Sequence, residues 1–168
     1  QAARLKRLSD YCKKEKIKFM FELLVPATSM QLAKFNGDTA RYDKEARPAL
    51  MIAAMKELQD TGIEADVWKL EGIETEADSR KVAAQARVGG RNNVGVIVIG
   101  RGENAEKVKH WLSTAANVPG LIGFAVGRTI FWEPLKAFRE GKISREQAED
   151  QVCKNYKGFC DLWIAARQ

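Results

Sequence analysis

The sequence is short of the residues from which metal and thiol sites are built. It has one histidine, His110, and three widely spaced cysteines, Cys12, Cys153 and Cys160, which form no Cys-x-x-Cys pair. Structural zinc needs four cysteine or histidine ligands at short spacings, so no metal site is expected. Cys12 also falls in a predicted helix without a histidine partner, which argues against a thiol nucleophile. This cysteine usage fits a reducing, cytoplasmic setting.

Long apolar runs are also absent. No run approaches the ~20 residues of a membrane span, and we expect no membrane partner and no secretory leader before the first helix. The net charge of +6 is concentrated in residues 4–18. On a helix these basic side chains would decorate a solvated face, and no nucleic-acid motif accompanies them, so no nucleic-acid partner is expected.

What is present is the composition of a single globular domain, with 45% apolar and 30% charged residues in a chain of 168. Four short apolar strands are predicted at 17–25, 65–71, 94–99 and 121–126. Amphipathic helices are predicted at about 3–15, 46–61, 74–88, 103–116, 134–140 and from 144 onward. Residues 28–42 are predicted as a polar connection. The aromatic residues Phe131, Trp132 and Phe138, at helical spacing, are predicted to lie in the core.

Strands alternating with helices predict an α/β fold with a parallel sheet covered by helices. Three architectures fit this pattern: an open doubly wound sheet, a complete small α/β domain, or part of a (β/α)8 barrel. A full barrel needs eight strand–helix units and typically ~250 residues, whereas this chain has four units. The residues alone leave the choice among the three open.

Charged residues recur at the carboxyl ends of these strands, where parallel α/β folds place their working residues. Lys69 lies near the end of the second strand, and period-two alternation places Glu71 on the same side of the sheet. Trp68 and Leu70 then face the opposite side, under the helices. Glu22 occupies a comparable position near the end of the first strand.

Lys69 has two explanations. A lysine in a strand can be one half of a structural ion pair, here with Glu22 or Glu71. It can also be a Schiff-base nucleophile, because burial favours the neutral amine that attacks carbonyl carbon. A neighbouring carboxylate would then move the protons that carbinolamine formation and carbon–carbon cleavage require.

Two glycine–arginine turns close the third and fourth strands, Gly100-Arg101-Gly102 and Gly127-Arg128. Glycine allows close approach of the backbone, N–H groups at a helix start attract anions, and arginine makes bidentate contacts to phosphate. The loops after the last two strands are also the usual phosphate site of barrels. The alternative is a pair of ordinary glycine turns with surface arginines.

The third-strand turn supports a rival prediction. The segment 100–105 follows a strand, opens a helix and matches the dinucleotide fingerprint in its alanine-ending form. Arg128 could then meet the 2′-phosphate of NADP. Against this, the fingerprint belongs after the first strand of a Rossmann unit, and here two strand–helix units precede it.

Five blocks in order carry a resemblance across essentially the whole chain: Phe21-Glu22-Leu23-Leu24-Val25-Pro26, Arg47-Pro48-Ala49-Leu50-Met51, Asp66-Val67-Trp68-Lys69-Leu70-Glu71-Gly72, Ile99-Gly100-Arg101-Gly102 and Gly123-Phe124-Ala125-Val126-Gly127-Arg128-Thr129. The chain resembles the C-terminal half of the aldolase-like domain found behind 5-dehydro-2-deoxygluconokinase in bacterial myo-inositol catabolism. That domain is similar in turn to the class I tagatose-bisphosphate aldolases, which are TIM barrels.

The resemblance implies half of a TIM (β/α)8 barrel and cleavage of 2-deoxy-5-keto-D-gluconate 6-phosphate to dihydroxyacetone phosphate and malonate semialdehyde. It makes Lys69 the Schiff-base lysine and Glu22 the glutamate that handles protons. Substrate binding falls to Glu71 and to the two turns, Gly100, Arg101, Gly102, Gly127 and Arg128, with Arg47 a further contact by position. No metal and no cofactor is implied.

The resembled domain is about twice as long as this chain. An open half-barrel would expose two sheet edges and an apolar face. We therefore expect self-association or pairing with the other half-barrel, and a fused kinase is a further implied partner. A half-barrel that associates, or binds a sugar phosphate without turnover, is the alternative to an active aldolase.

Overall fold

The computed structural model describes residues 1–167 and contains four strand–helix units around one parallel sheet. The strands are β1 (Met20–Leu23), β2 (Val67–Glu71), β3 (Gly95–Ile99) and β4 (Leu121–Ala125). They lie in the order β1-β2-β3-β4, and every neighbouring pair is parallel. The predicted α/β class is confirmed, and the arrangement is consistent with half of a TIM-barrel-like fold.

Six helices contribute buried residues to the core: α1 (Ala2–Lys14), α4 (Arg47–Asp60), α5 (Glu76–Arg87), α6 (Ala105–Ala116), α7 (Arg128–Arg139) and α8 (Arg145–Ala165). Two others, α2 (Ser29–Ala33) and α3 (Thr39–Glu45), follow β1. Within residues 1–167, none of these helices has both the length and the apolar character needed to cross a membrane.

The two faces of the sheet differ sharply. Trp68, Leu70 and Val96 are almost fully buried beneath the helices. On the opposite face, Met20 and Ile122 are about half exposed, since no helix of residues 1–167 covers them. The strands therefore follow the predicted period-two alternation, with one covered face and one open face.

The segment after β1 was predicted as a polar connection, and this prediction is wrong in part. Residues 24–46, here called the β1–α4 connection, contain α2 and α3. Thr28 forms a capping box with Gln31 at the start of α2, and the Asp38 side chain accepts a hydrogen bond from the Arg41 N–H at the start of α3. Both caps are visible in the sequence, but the helices they open are too short to show periodicity.

Helix α7 begins at Arg128, six residues before the predicted start near Pro134. Pro134 lies inside the helix and cannot donate the hydrogen bond that the Ile130 carbonyl would otherwise accept. The side-chain amide of Asn155, on α8, donates to that carbonyl at 2.8 Å instead. A contact from a distant helix thus satisfies the group that proline leaves free.

The aromatic residues of α7 were predicted to be core, and this prediction is wrong. Phe131, Trp132 and Phe138 are 37%, 50% and 41% exposed. Helix α7 buries only Ile130 and Pro134. Helical spacing alone could not reveal that α7 packs mainly against α8 at the side of the sheet.

Gly72, directly after β2, gives a first prediction. A Cβ there would collide with the ring of Trp111 on α6, within the buried core. We expect Gly72→Ala to lower the free energy of unfolding by about 1–3 kcal/mol through overpacking. Gly158→Ala is the matched control, because its Cβ meets no atom within 4 Å and α8 should gain about 0.5–1 kcal/mol. Urea denaturation of the two variants measures the contrast, and equal stabilities would contradict it.

Glu74 gives a pH-dependent prediction. Burial alone would raise the pKa of Glu74, but hydrogen bonds from Lys107 and Trp111 lower it below its usual value. The folded state therefore gains stability from the ionised carboxylate at neutral pH and loses it as pH falls through the lowered pKa. We expect Glu74→Gln to reduce the loss of stability between about pH 6 and about pH 3. Denaturant midpoints measure it, and an equal loss of stability in Glu74→Gln and in the unchanged chain would contradict it.

Candidate active site

Lys69 and Glu22 form an ion pair on the open face of the sheet. The parallel register places the two residues side by side on β2 and β1. Lys69 Nζ lies 2.6 Å from Glu22 Oε2, and the two side chains are 28% and 42% exposed. The lysine predicted as either an ion-pair partner or a nucleophile is therefore paired, and it is still reachable by a ligand.

The next residues at this level of the sheet are uncharged. Ile97 on β3 pairs with Lys69, and Gly123 on β4 pairs with Ile97. A ligand lying on the open face would contact the lysine–glutamate pair on one side. On the other side it would contact the apolar side chain of Ile97 and the glycine backbone at Gly123. Such a surface lets a carbonyl compound approach the amine without competing charges.

Glu71 occupies the buried end of β2, in contrast to Lys69. Its side chain accepts a hydrogen bond from the Val25 backbone N–H at 2.8 Å and another from Arg101 at 3.2 Å. Only 3% of the residue is exposed. The predicted substrate contact thus lies within a network that holds the β1–α4 connection against β2.

Arg47 and Asp43 lie behind Glu71. Arg47 donates from Nε to Asp43 at 2.9 Å and from Nη2 to the Gly72 carbonyl at 2.7 Å. Its Nη1 has no hydrogen-bond partner within residues 1–167, and Glu71 lies 3.9 Å away. Arg47, given as a substrate contact by position, is buried and bridges α4 to the end of β2.

Arg101 is bound by three carboxylates. Its guanidinium donates to Asp43 at 3.0 and 3.2 Å, to Glu71 at 3.2 Å and to Glu103 at 3.5 Å. Burial alone would lower the pKa of Arg101, but Asp43 and Glu71 raise it, so the cation is firmly held. The backbone of Arg101 has φ +52°, a left-handed conformation that is strained for a residue with a side chain.

Arg128 differs from Arg101. Within residues 1–167 its side chain has no carboxylate within ion-pair distance, and the only hydrogen bond of that side chain runs to the Arg101 carbonyl at 3.4 Å. It stands at the start of α7, which has no side-chain cap. The uncapped N–H groups, the helix dipole and the guanidinium together make a place where an anion is favoured. We call this place, formed by Gly102, Gly127 and Arg128, the anion corner.

A cavity of about 370 Å³ lies beyond the lysine–glutamate pair, between the β1–α4 connection and the strand ends. Its polar walls include Tyr42, Asp43 and Arg101, and its apolar walls include Leu24 and Leu32. Glu71 and Leu24 each lie two residues beyond Lys69 and Glu22, which corresponds to about 7 Å along a strand. A ligand bound at Lys69 can therefore extend into this cavity.

The dinucleotide prediction meets a steric obstacle at the same turn. A Cβ at Gly102 would collide with the guanidinium of Arg128, which therefore already covers this glycine. In a dinucleotide site the pyrophosphate approaches the glycine backbone at this point. The arrangement suits a small anion beside Arg128 better than a dinucleotide.

Sequence reasoning missed Asp43 and Tyr42. Asp43 binds both Arg47 and Arg101, and the Tyr42 hydroxyl donates to the Val25 carbonyl at 3.0 Å. The only local hint was the four-residue spacing of Asp43 and Arg47, which usually indicates an exposed helix pair. Their burial follows from long-range contacts that the sequence pattern does not display.

Other sequence candidates fall outside this group. Cys12 is buried in the core, and His110 is exposed on α6, with its Nε2 3.0 Å from the Glu74 carbonyl. No group of three or more histidine, cysteine, aspartate or glutamate side chains in the part of the chain that the structure describes could hold a metal ion.

The fold and site define an α/β chain consistent with half of a barrel, with a lysine–glutamate pair on the open face of the sheet and an uncapped helix start, at Arg128, after β4. The chain belongs to the family described as "Uncharacterized protein conserved in bacteria (DUF2090)", whose model matches residues 1–167. A comparison with curated proteins finds no match.

Proposed function

We propose that the chain is a Schiff-base, class I aldolase-type lyase. The observation that supports this most is the Lys69–Glu22 pair, 2.6 Å apart and partly exposed, on neighbouring parallel strands at the open face of the sheet. An amine with an adjacent carboxylate on an accessible face has the two groups that iminium chemistry needs, a nucleophile and a proton carrier.

The proposed substrate is a phosphorylated keto sugar acid, 2-deoxy-5-keto-D-gluconate 6-phosphate, as the resemblance implies. Support for a phosphate comes from Arg128, whose guanidinium has no carboxylate partner within residues 1–167, and from the uncapped start of α7. An arginine guanidinium makes charge-assisted hydrogen bonds to phosphate, and the N–H groups at a helix start supply further donors. The remaining carbon atoms of the substrate would extend over Lys69 toward the cavity.

The proposed reaction begins when Glu22 accepts a proton from Lys69 and the free amine attacks the ketone beside the phosphorylated carbon. Loss of water, assisted by Glu22, gives the iminium. The iminium takes up the electron pair of the breaking C–C bond as the β-hydroxyl loses its proton and becomes the aldehyde. Protonation of the enamine and hydrolysis then release dihydroxyacetone phosphate and restore Lys69.

The anion corner would act by orientation. Holding the phosphate at Arg128 keeps the neighbouring carbonyl within reach of Lys69, which raises the effective concentration of the reacting groups. The proposal needs no metal or cofactor, because the iminium is itself the electron sink that a metal supplies in other aldolases.

A second candidate function is a half-barrel that associates and binds a sugar phosphate without turnover. The observation in its favour is the open sheet face, where Met20, Leu24 and Ile122 are each about half exposed. Neither β1 nor β4 has a strand on its outer edge within residues 1–167. Under either function we propose that further parallel strands, from another copy or from the other half-barrel, cover this face. Native mass spectrometry measures such association.

Borohydride trapping with dihydroxyacetone phosphate distinguishes the two functions. We expect a covalent mass gain on the unchanged chain and none on Lys69→Met, because only a lysine amine forms the reducible iminium. Lys56→Met, an exposed lysine on α4, is the matched control and should keep the adduct. No adduct on the unchanged chain would favour the non-catalytic function, and an adduct on Lys69→Met would rule out this lysine as nucleophile.

The anion corner gives a separate prediction. We expect Arg128→Gln to weaken binding of inorganic phosphate by about tenfold or more, because one charge-assisted contact is lost. Arg139→Gln removes the same charge at the other end of α7 and should leave phosphate affinity unchanged. Isothermal titration calorimetry measures both. Equal effects of the two variants would mean that only overall charge matters.

A further inference from the structure

Arg101 lies between two parts of the site, and its side chain faces only one of them. The Arg101 carbonyl accepts the hydrogen bond from Arg128 at the anion corner. The Arg101 guanidinium extends the other way, onto Asp43 and Glu71 at the wall of the cavity. The two arginines of the glycine turns are therefore not equivalent.

The carboxylates largely neutralise Arg101. Each of its terminal nitrogens already donates to Asp43; Nη1 donates to Glu71 as well, and Nη2 contacts Glu103 at 3.5 Å. A guanidinium engaged in this way has little left to offer a phosphate, since a new anion would have to displace these partly buried hydrogen bonds. Arg128, with no carboxylate within 4 Å in residues 1–167, remains available.

Asp43 is well placed to impose this direction on Arg101. It is buried, it lies on α3, and Arg47 holds its Oδ1 from the opposite side at 2.9 Å. Arg101 keeps a strained left-handed backbone at the turn, with φ +52°. Strain of this kind persists where surrounding contacts fix the residue, and Asp43 supplies two of those contacts.

We propose that Asp43 is a positioning residue. It turns Arg101 away from the anion corner, leaves phosphate binding to Arg128, and holds the β1–α4 connection over the cavity beside Lys69. Its role in the reaction rests on the proposed function, whereas its effect on phosphate binding does not.

Two consequences follow for a bound substrate. A phosphate held by Arg128 alone has one defined location, so the neighbouring carbonyl stays at a fixed distance from Lys69. A second free guanidinium, that of Arg101, would bind the phosphate more tightly and draw it away from that location, toward the cavity. Removing the charge of Asp43 should therefore strengthen phosphate binding and slow the reaction at the same time.

The test compares Asp43→Asn with Asp38→Ala. Asp38 caps the same helix, α3, but its side chain binds only the Arg41 N–H there, so its loss weakens the helix without freeing Arg101. We expect Asp43→Asn to bind inorganic phosphate roughly five- to tenfold more tightly, as one more charged contact to phosphate would give. Asp38→Ala should leave phosphate affinity unchanged. Calorimetric titration in the Lys69→Met background gives the same readout independently of any chemistry.

The second readout is the rate of borohydride trapping with dihydroxyacetone phosphate. Asp43→Asn should lower this rate by roughly tenfold at saturating ligand, because the carbonyl is less well placed. Asp43→Glu, which keeps the charge, should restore part of it. A merely structural role for Asp43 would weaken both phosphate binding and trapping, and would overturn the proposal.

If Asp43→Asn does not fold, the variant Arg101→Lys tests whether Arg101 binds the phosphate. The proposal expects phosphate affinity within about twofold of the unchanged chain, since Arg101 is not the phosphate ligand. A loss as large as that of Arg128→Gln would overturn it, and so would an absence of phosphate binding to the unchanged chain. Failure of Lys69 to form an adduct, with the phosphate results as expected, would reject the proposed function and leave the role of Asp43 in phosphate binding standing.

Discussion

A cluster of two arginines and two carboxylates, three of them buried and Arg101 partly exposed, holds the structure together at the carboxyl ends of the strands. Buried charges are costly unless each is paired, and here Asp43, Arg47, Glu71 and Arg101 supply partners for one another. They come from α3, α4, β2 and the turn after β3. Because the charges must meet, the β1–α4 connection has to close onto the strand ends, and a cavity is left beneath it.

The lysine–glutamate pair has a simpler origin. Two parallel strands in register place Lys69 and Glu22 side by side without any specialised turn or loop. The covered face supplies the rigidity, since Phe21 packs edge-on against Trp68 directly behind the pair, with ring centroids 5.5 Å apart. The same period-two alternation places the lysine–glutamate pair on the open face of the sheet and the packed aromatic rings on the covered face.

The sequence was informative where structure follows local periodicity and uninformative where it follows distant contacts. The parallel sheet was predicted from strands that alternate with helices, and the placement of Lys69 and Glu71 on one side from period two; both predictions are confirmed. The early start of α7 could not be predicted, because Asn155 supplies the hydrogen-bond donor that Pro134 lacks. Asp43 was missed for a similar reason: its importance depends on Arg101, 58 residues later.

The side-chain amide of Asn155 connects α8 to the first turn of α7. Helix α8 packs on the covered face, where Phe124 meets its Trp163. The same helix, through Asn155, supports the first turn of α7 at Ile130, two residues after Arg128. The location of the anion corner therefore depends on α8, the last helix of the described residues. Changes in that helix would therefore shift the first turn of α7 and, with it, the position of Arg128.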